Sequence, residues 1–114
     1  MKLPARTSTC VSVALILLMC STISAAPARV KPTTHTVTIE AMRFQPDVLI
    51  VKPGDSIVWV NKDAFPHTVT SQTREFDSQA LASGTAWRMT ARKKGEFPYV
   101  CTLHPTMKAV LRVR

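Results

Sequence analysis

Cys101, His104 and Met107 stand three residues apart in the stretch Phe97-Pro98-Tyr99-Val100-Cys101-Thr102-Leu103-His104-Pro105-Thr106-Met107. His67, in Phe65-Pro66-His67, lies 34 residues before the cysteine. A thiolate is soft and binds copper strongly in both oxidation states. Neutral imidazoles suit copper as well, and a long axial thioether leaves the site nearly trigonal. One thiolate, two imidazoles and a thioether are the donor set of a blue-copper electron-transfer centre. A site that suits Cu(I) and Cu(II) alike rearranges little when an electron arrives or leaves. A catalytic metal site keeps a position open for substrate, and here four protein donors are available to one ion. Three of them share one short loop, so the fourth, His67, must reach them from a different strand.

The remaining pattern supplies such strands. Thr36-Val37-Thr38-Ile39 alternates polar and apolar residues, and Val48 to Val51 is a short apolar run ended by the turn signal Lys52-Pro53-Gly54-Asp55. Ser56 to Val60 places Ile57 and Trp59 on one face. His67 to Thr70 reads as a strand, and Thr85 to Ala91 alternates again. Lys93-Lys94-Gly95 turns the chain, Phe97, Tyr99 and Cys101 then share one face, and Lys108 to Val113 closes the domain. Phe76 to Ser83 leaves room for a single helical turn. Seven or eight short strands with turns between them imply an all-β fold, a Greek-key β-sandwich. In that fold His67 starts one strand, Cys101 ends another, and the His104–Met107 loop leads into the last.

The Cys-x-x-His-x-x-Met motif and the Pro66-His67 pair resemble those of the small cupredoxins, of the amicyanin and plastocyanin-like kind. The resemblance extends to Met42-Arg43-Phe44 with Pro46, and to Val51-Lys52-Pro53-Gly54-Asp55-Ser56-Ile57-Val58-Trp59-Val60-Asn61. It covers about residues 34–114 and is weakest over 70–84. It implies one type 1 copper per chain, held by His67, Cys101, His104 and Met107. It also implies an apolar patch around His104 made by Met42, Phe65, Pro66, Leu103 and Pro105. Two positions depart from the family pattern. Thr68 stands where many cupredoxins have an asparagine that braces the ligand loop, which implies a weaker brace. Leu103 stands where amicyanins carry proline, and its free N–H is a candidate donor to the Cys101 sulfur.

The first 26 residues read as an export signal: basic Lys2 and Arg6, an apolar run from Val11 to Met19 broken by Ser12, and small residues Ser24-Ala25-Ala26. Cleavage after residue 26 or 28 fits, and no twin-arginine pair is present. The run is too short for a comfortable transmembrane helix. Cys20 admits a second reading as a lipidated cysteine, although Met19 before it is not small. Residues 27–33 form a flexible lead-in, and 34–114 one small domain. Without the signal the basic residues fall from 15 to 13 against 7 acidic ones, so the net charge of +8 becomes +6. Cys101 is then the one cysteine left, and metal ligation explains a lone thiol in an exported chain. The basic charge points to an acidic partner protein or membrane surface. Scattered cations and export argue against nucleic acid.

Each residue has a plainer reading. A lone cysteine is often a small buried hydrophobe, and methionine often fills cores. The spacing of the trio favours ligation over both. His35 has no such company and reads as a solvated strand histidine. Trp59, Trp87, Phe44, Phe97 and Tyr99 read as core. These features together predict a monomeric, non-enzymatic, periplasmic or secreted protein that carries single electrons between redox partners. The rival expectation is a periplasmic copper carrier or buffer with no dedicated redox partner.

Overall fold

A computed structural model of the chain describes residues 1–5, 21–28 and 30–114. Most of the expected export signal, with Cys10 and Cys20, lies outside the described residues. Eight strands follow: β1 Thr34–Glu40, β2 Arg43–Gln45, β3 Val48–Val51, β4 Ser56–Asn61, β5 Thr70–Ser71, β6 Ala86–Thr90, β7 Gly95–Cys101 and β8 His104–Val113. They form two four-stranded sheets, ordered β2-β1-β4-β6 and β3-β8-β7-β5. The pairs β1–β4 and β3–β8 are parallel and the others antiparallel. The expected all-β sandwich is what forms.

Alternation decides which side chains meet between the sheets. β4 buries Ile57, Trp59 and Asn61, β7 buries Phe97, Tyr99 and Cys101, and β8 buries Met107, Ala109, Leu111 and Val113. Trp59 packs at 5.3 Å from Trp87 and edge-on at 5.8 Å from Tyr99, and its indole N–H donates to the Tyr99 hydroxyl at 3.2 Å. Burial pushes the Tyr99 phenol up to about 12, so this partner stays neutral. Truncating a buried aromatic of this kind costs about 3–5 kcal/mol. The buried apolar core runs from Val37 to Val113, so among the described residues the packing lies wholly within the eight strands and their connections.

Three segments of the backbone depart from the sequence reading. β8 begins at His104, four residues before the expected Lys108, because Cys101 pairs directly with His104 across a two-residue turn. His67 to Thr70 is not a regular strand. His67 makes an isolated bridge to Leu81, and the Val69 amide donates to the Ser78 hydroxyl at 2.8 Å instead of to a ladder partner. Phe76 to Ser83 holds no helical turn. That stretch is extended enough to pair through Asp77 and Leu81, and Phe76 packs 6.0 Å from Trp59.

Candidate metal centre

β4 ends at Asn61, and the chain must then turn back to place His67 between the sheets. Asn61 is fully buried and organises that turn. Its amide donates to the carbonyls of Phe65 (2.8 Å) and Leu81 (2.9 Å), and its carbonyl accepts the Asp63 N–H at 3.0 Å. The loop backbone is thereby satisfied by one side chain. His67 emerges fully buried.

Asp63 fixes the orientation of the His67 ring. Its Oδ2 lies 2.9 Å from His67 Nε2. The same carboxylate accepts the amides of Ala41 at 2.8 Å and Met42 at 3.0 Å. Those two residues form the β1–β2 turn with φ of 52° and 60°, a left-handed conformation costly for residues with a side chain. Partial burial pushes the Asp63 carboxyl up, but the Met42 and Ala41 amides and the His67 ring outweigh it, and the group sits below the ordinary carboxylate range. An ionised Asp63 takes the Nε2 proton of neutral His67 as its hydrogen-bond donor and leaves Nδ1 with a free lone pair.

That lone pair has the right company. Cys101 Sγ is buried and lies 3.7 Å from His67 Nδ1 and 3.7 Å from His104 Nδ1. The ligating atoms of the three residues all fall within 4.8 Å of one another. Metal bonds of roughly 2.0–2.3 Å to nitrogen and sulfur hold such atoms about 3.6–3.8 Å apart, so the spacing fits one shared ion. Met107 is buried on the inward face of β8, three residues after His104. His104 is half-buried and the more exposed of the two histidines. Met42, Phe65 and Leu103, three of the residues expected to form the apolar patch, expose 40%, 62% and 51% of their surface.

The Thr68 brace is fuller than one hydroxyl was expected to give. Its oxygen accepts the Thr102 N–H at 2.8 Å and the Thr70 hydroxyl at 3.0 Å, and it lies 3.0 Å from the Thr102 hydroxyl. One O–H and both lone pairs are therefore engaged. The Thr68 amide donates to Cys101 Sγ at 3.3 Å. That amide fills the role expected of the Leu103 N–H, which makes no bond to the sulfur among the described residues. Sequence reasoning missed Asp63 and Thr102. A carboxylate four residues before a ligand histidine was the available signal for Asp63; Thr102 had none.

Comparison with known proteins bears on this geometry. A family description of the cupredoxin-like domain matches residues 10–113. The chain belongs to the cupredoxin-like family. It is 32% identical over 88 residues to amicyanin from Paracoccus denitrificans, covering 73% of this chain and 67% of that one. The chain thus spans about two thirds of that relative's length. A solved amicyanin variant in its Cu(I) form superposes with a TM-score of 0.67 at 27% identity, over 71% of this cupredoxin and 82% of the variant. The copper-containing nitrite reductase of Thermus scotoductus gives 0.68 at 30% identity, over 79% of this chain but 24% of the enzyme. Family and clustered donors together make this cupredoxin a blue-copper electron-transfer protein.

Proposed function

We infer that His67, Cys101, His104 and Met107 would hold one copper ion, with the Met107 thioether as its weakest donor, and that the protein shuttles single electrons between redox partners outside the cytoplasm. The equal 3.7 Å separations from Cys101 Sγ to two imidazole nitrogens carry this reading. Bound copper supplies the one-electron couple Cu(I)/Cu(II). The chain's residues do the rest. Asp63 and Thr68 hold the donors where both oxidation states accept them, and the sandwich keeps water from the sulfur. The half-buried His104, with the exposed Met42, Phe65 and Leu103 as its apolar patch by likeness to the family, offers a contact through which a partner approaches the metal.

The protein is a carrier rather than an enzyme: four donors serve one ion, and the nitrite reductase likeness spans only a quarter of that enzyme. Residues 1–26 direct export, cleavage follows residue 26 or 28, and residues 34–114 work as a monomeric domain. Its net positive charge steers it to partners with an acidic docking surface. Among the described residues no helix is long and apolar enough to cross a membrane.

Absorption and electron spin resonance of the copper-loaded protein test the reading. An intense visible thiolate-to-copper band with rapid reversible reduction is expected, and a colourless Cu(I) protein that hands its metal on would favour copper handling instead. Met107→Gln should lower the reduction potential, because a harder axial oxygen favours Cu(II); an unchanged potential removes Met107 from the ligand set.

A further inference from the structure

The outer faces of the two sheets differ in kind. On the first sheet, β1 turns Thr34, Thr36 and Thr38 outward, and β6 turns out Ala86, Arg88 and Thr90. On the second sheet, the edge strand β3 turns out Val48 and Ile50, 43% and 45% exposed. The register sets Val48 beside Val110 and Ile50 beside Arg112. It also sets Val110 beside Pro98 and Lys108 beside Val100. Paired residues point to the same side of a sheet. Val48, Ile50, Val110, Pro98 and Val100 therefore form one aliphatic stripe across three strands.

Cations frame that stripe. Lys108 and Arg112 lie within it, and Lys52 and Arg114 continue β3 and β8 in the same alternation. Glu96 is the acidic residue that β7 adds to this face, and its carboxylate is 2.7 Å from Arg112 Nε. Lys52, Lys108 and Arg114 remain exposed without an ion pair among the described residues. At one corner a cleft of about 350 Å³ brings Val30 and Lys31 of the lead-in beside Ile50, Lys52 and Arg114, with Asp55, already bonded to His35 and to the Thr33 and Lys52 amides, as its one acidic residue. The lead-in thus adds another aliphatic and another cation to the same surface.

We propose that this face rests on an anionic phospholipid membrane. Negative headgroups attract each nearby Lys or Arg. The long basic side chains can lay their stems along the stripe while their charges reach the phosphates. Protein interfaces centre on aromatic or other bulky anchors seated in pockets, whereas the apolar residues of this face are all aliphatic and lie on a flat sheet. A second copy of the chain would set like charges against each other. The side chains of His67 and Cys101 point between the sheets, so a membrane on this face leaves Met42, Phe65 and Leu103 free for a redox partner. The proposal goes beyond the copper reading and does not depend on it.

Residues 27–114, copper-loaded, are mixed with vesicles of phosphatidylcholine alone or with a third phosphatidylglycerol, and sedimented. Co-sedimentation with the anionic vesicles and not the neutral ones is expected, and high salt should abolish it. Lys52→Glu with Arg114→Glu, and separately Ile50→Ser with Val48→Ser, should each weaken the partition by about tenfold or more. Arg88→Glu, on the threonine-lined sheet, should leave most of it. Retained core fluorescence and metal binding show that each variant is folded. Equal partition with both vesicle types, no partition with either, or an equal loss in Arg88→Glu would overturn the proposal. So would a dimer in sedimentation velocity that the Ile50→Ser, Val48→Ser protein fails to form, which would assign the face to a second copy.

Discussion

The same device is built at both ends of β4. At one end Asp63 Oδ2 meets His67 Nε2 at 2.9 Å and accepts two backbone amides. At the other end Asp55 Oδ2 meets His35 Nε2 at 2.9 Å, and the Asp55 carboxylate accepts the amides of Thr33 at 2.9 Å and Lys52 at 3.0 Å. The two pairs differ in what the second ring nitrogen faces. His67 Nδ1 faces a thiol shared with a second imidazole. His35 is not in the metal-ligating cluster, and its pair ties the start of β1 to the turn before β4. A histidine–carboxylate pair is therefore not by itself a metal site. The topology makes it one by delivering Cys101 and His104 from the other sheet.

The largest expected effect separates the two ends outright. Cys101→Ser should abolish the thiolate-to-copper colour, since a hydroxyl is a harder, weaker donor. The fold should remain, as circular dichroism would show. Intense blue colour in that variant would erase the distinction between the two histidines.

Next comes the brace itself. Asp63→Ala frees the His67 ring and strips the carboxylate from the Ala41–Met42 turn. Copper affinity should fall about 10–100-fold, the usual effect of losing such a partner, as competition with a chelator would read. Asp55→Asn should leave copper affinity unchanged. An equal loss in both variants would mean that overall stability, not ring orientation, governs binding.

Acid sharpens the contrast at the far end. The Thr33 amide, the His35 ring and the Lys52 amide hold the Asp55 carboxyl at about 2, below its ordinary 3.8. A carboxyl lowered on folding stabilises the native state above the unfolded pKa, and that contribution disappears as pH falls through the folded one. Thermal stability should therefore drop between about pH 4 and pH 2. The slope should be shallower in Asp55→Asn, and an identical slope would remove Asp55 from the account.

The smallest effect concerns the hydroxyl brace. Thr68→Val leaves the Thr102 amide without its protein acceptor, at a cost of about 0.5–1.5 kcal/mol because exposed Thr102 can turn to water. The Thr68 amide bond to Cys101 Sγ does not involve the side chain, so the blue band should keep its intensity in absorption spectra. Loss of the band would show that the hydroxyl also positions the sulfur.

These pairs also mark how much the sequence disclosed. The inward faces of β4 and β7 were legible, because Ile57/Trp59 and Phe97/Tyr99/Cys101 alternate without interruption. The Cys101–His104–Met107 spacing was legible because three donor types on one loop have few other uses. His35 was misread as solvated: its partner Asp55 is 20 residues away and meets it only through the β1–β4 pairing. The start of β8 was missed because the ladder runs through the ligands themselves, and a Pro105-Thr106 pair reads locally as loop. Thr68 and Thr102 are 34 residues apart, and no local pattern joins them.

The position of β8 within its sheet has a consequence for how the protein is made. β8 pairs with β3 on one side and β7 on the other, so the last of the eight described strands is an inner strand. Val48 must wait for Val110 before it has a neighbour. A ribosome that has delivered everything as far as Thr102 has delivered a chain that cannot assemble half of its fold. Such long-range pairing delays folding until β8 has been made. Until β8 closes the second sheet the thiol of Cys101 stays open, and it is enclosed only in the final act of closure.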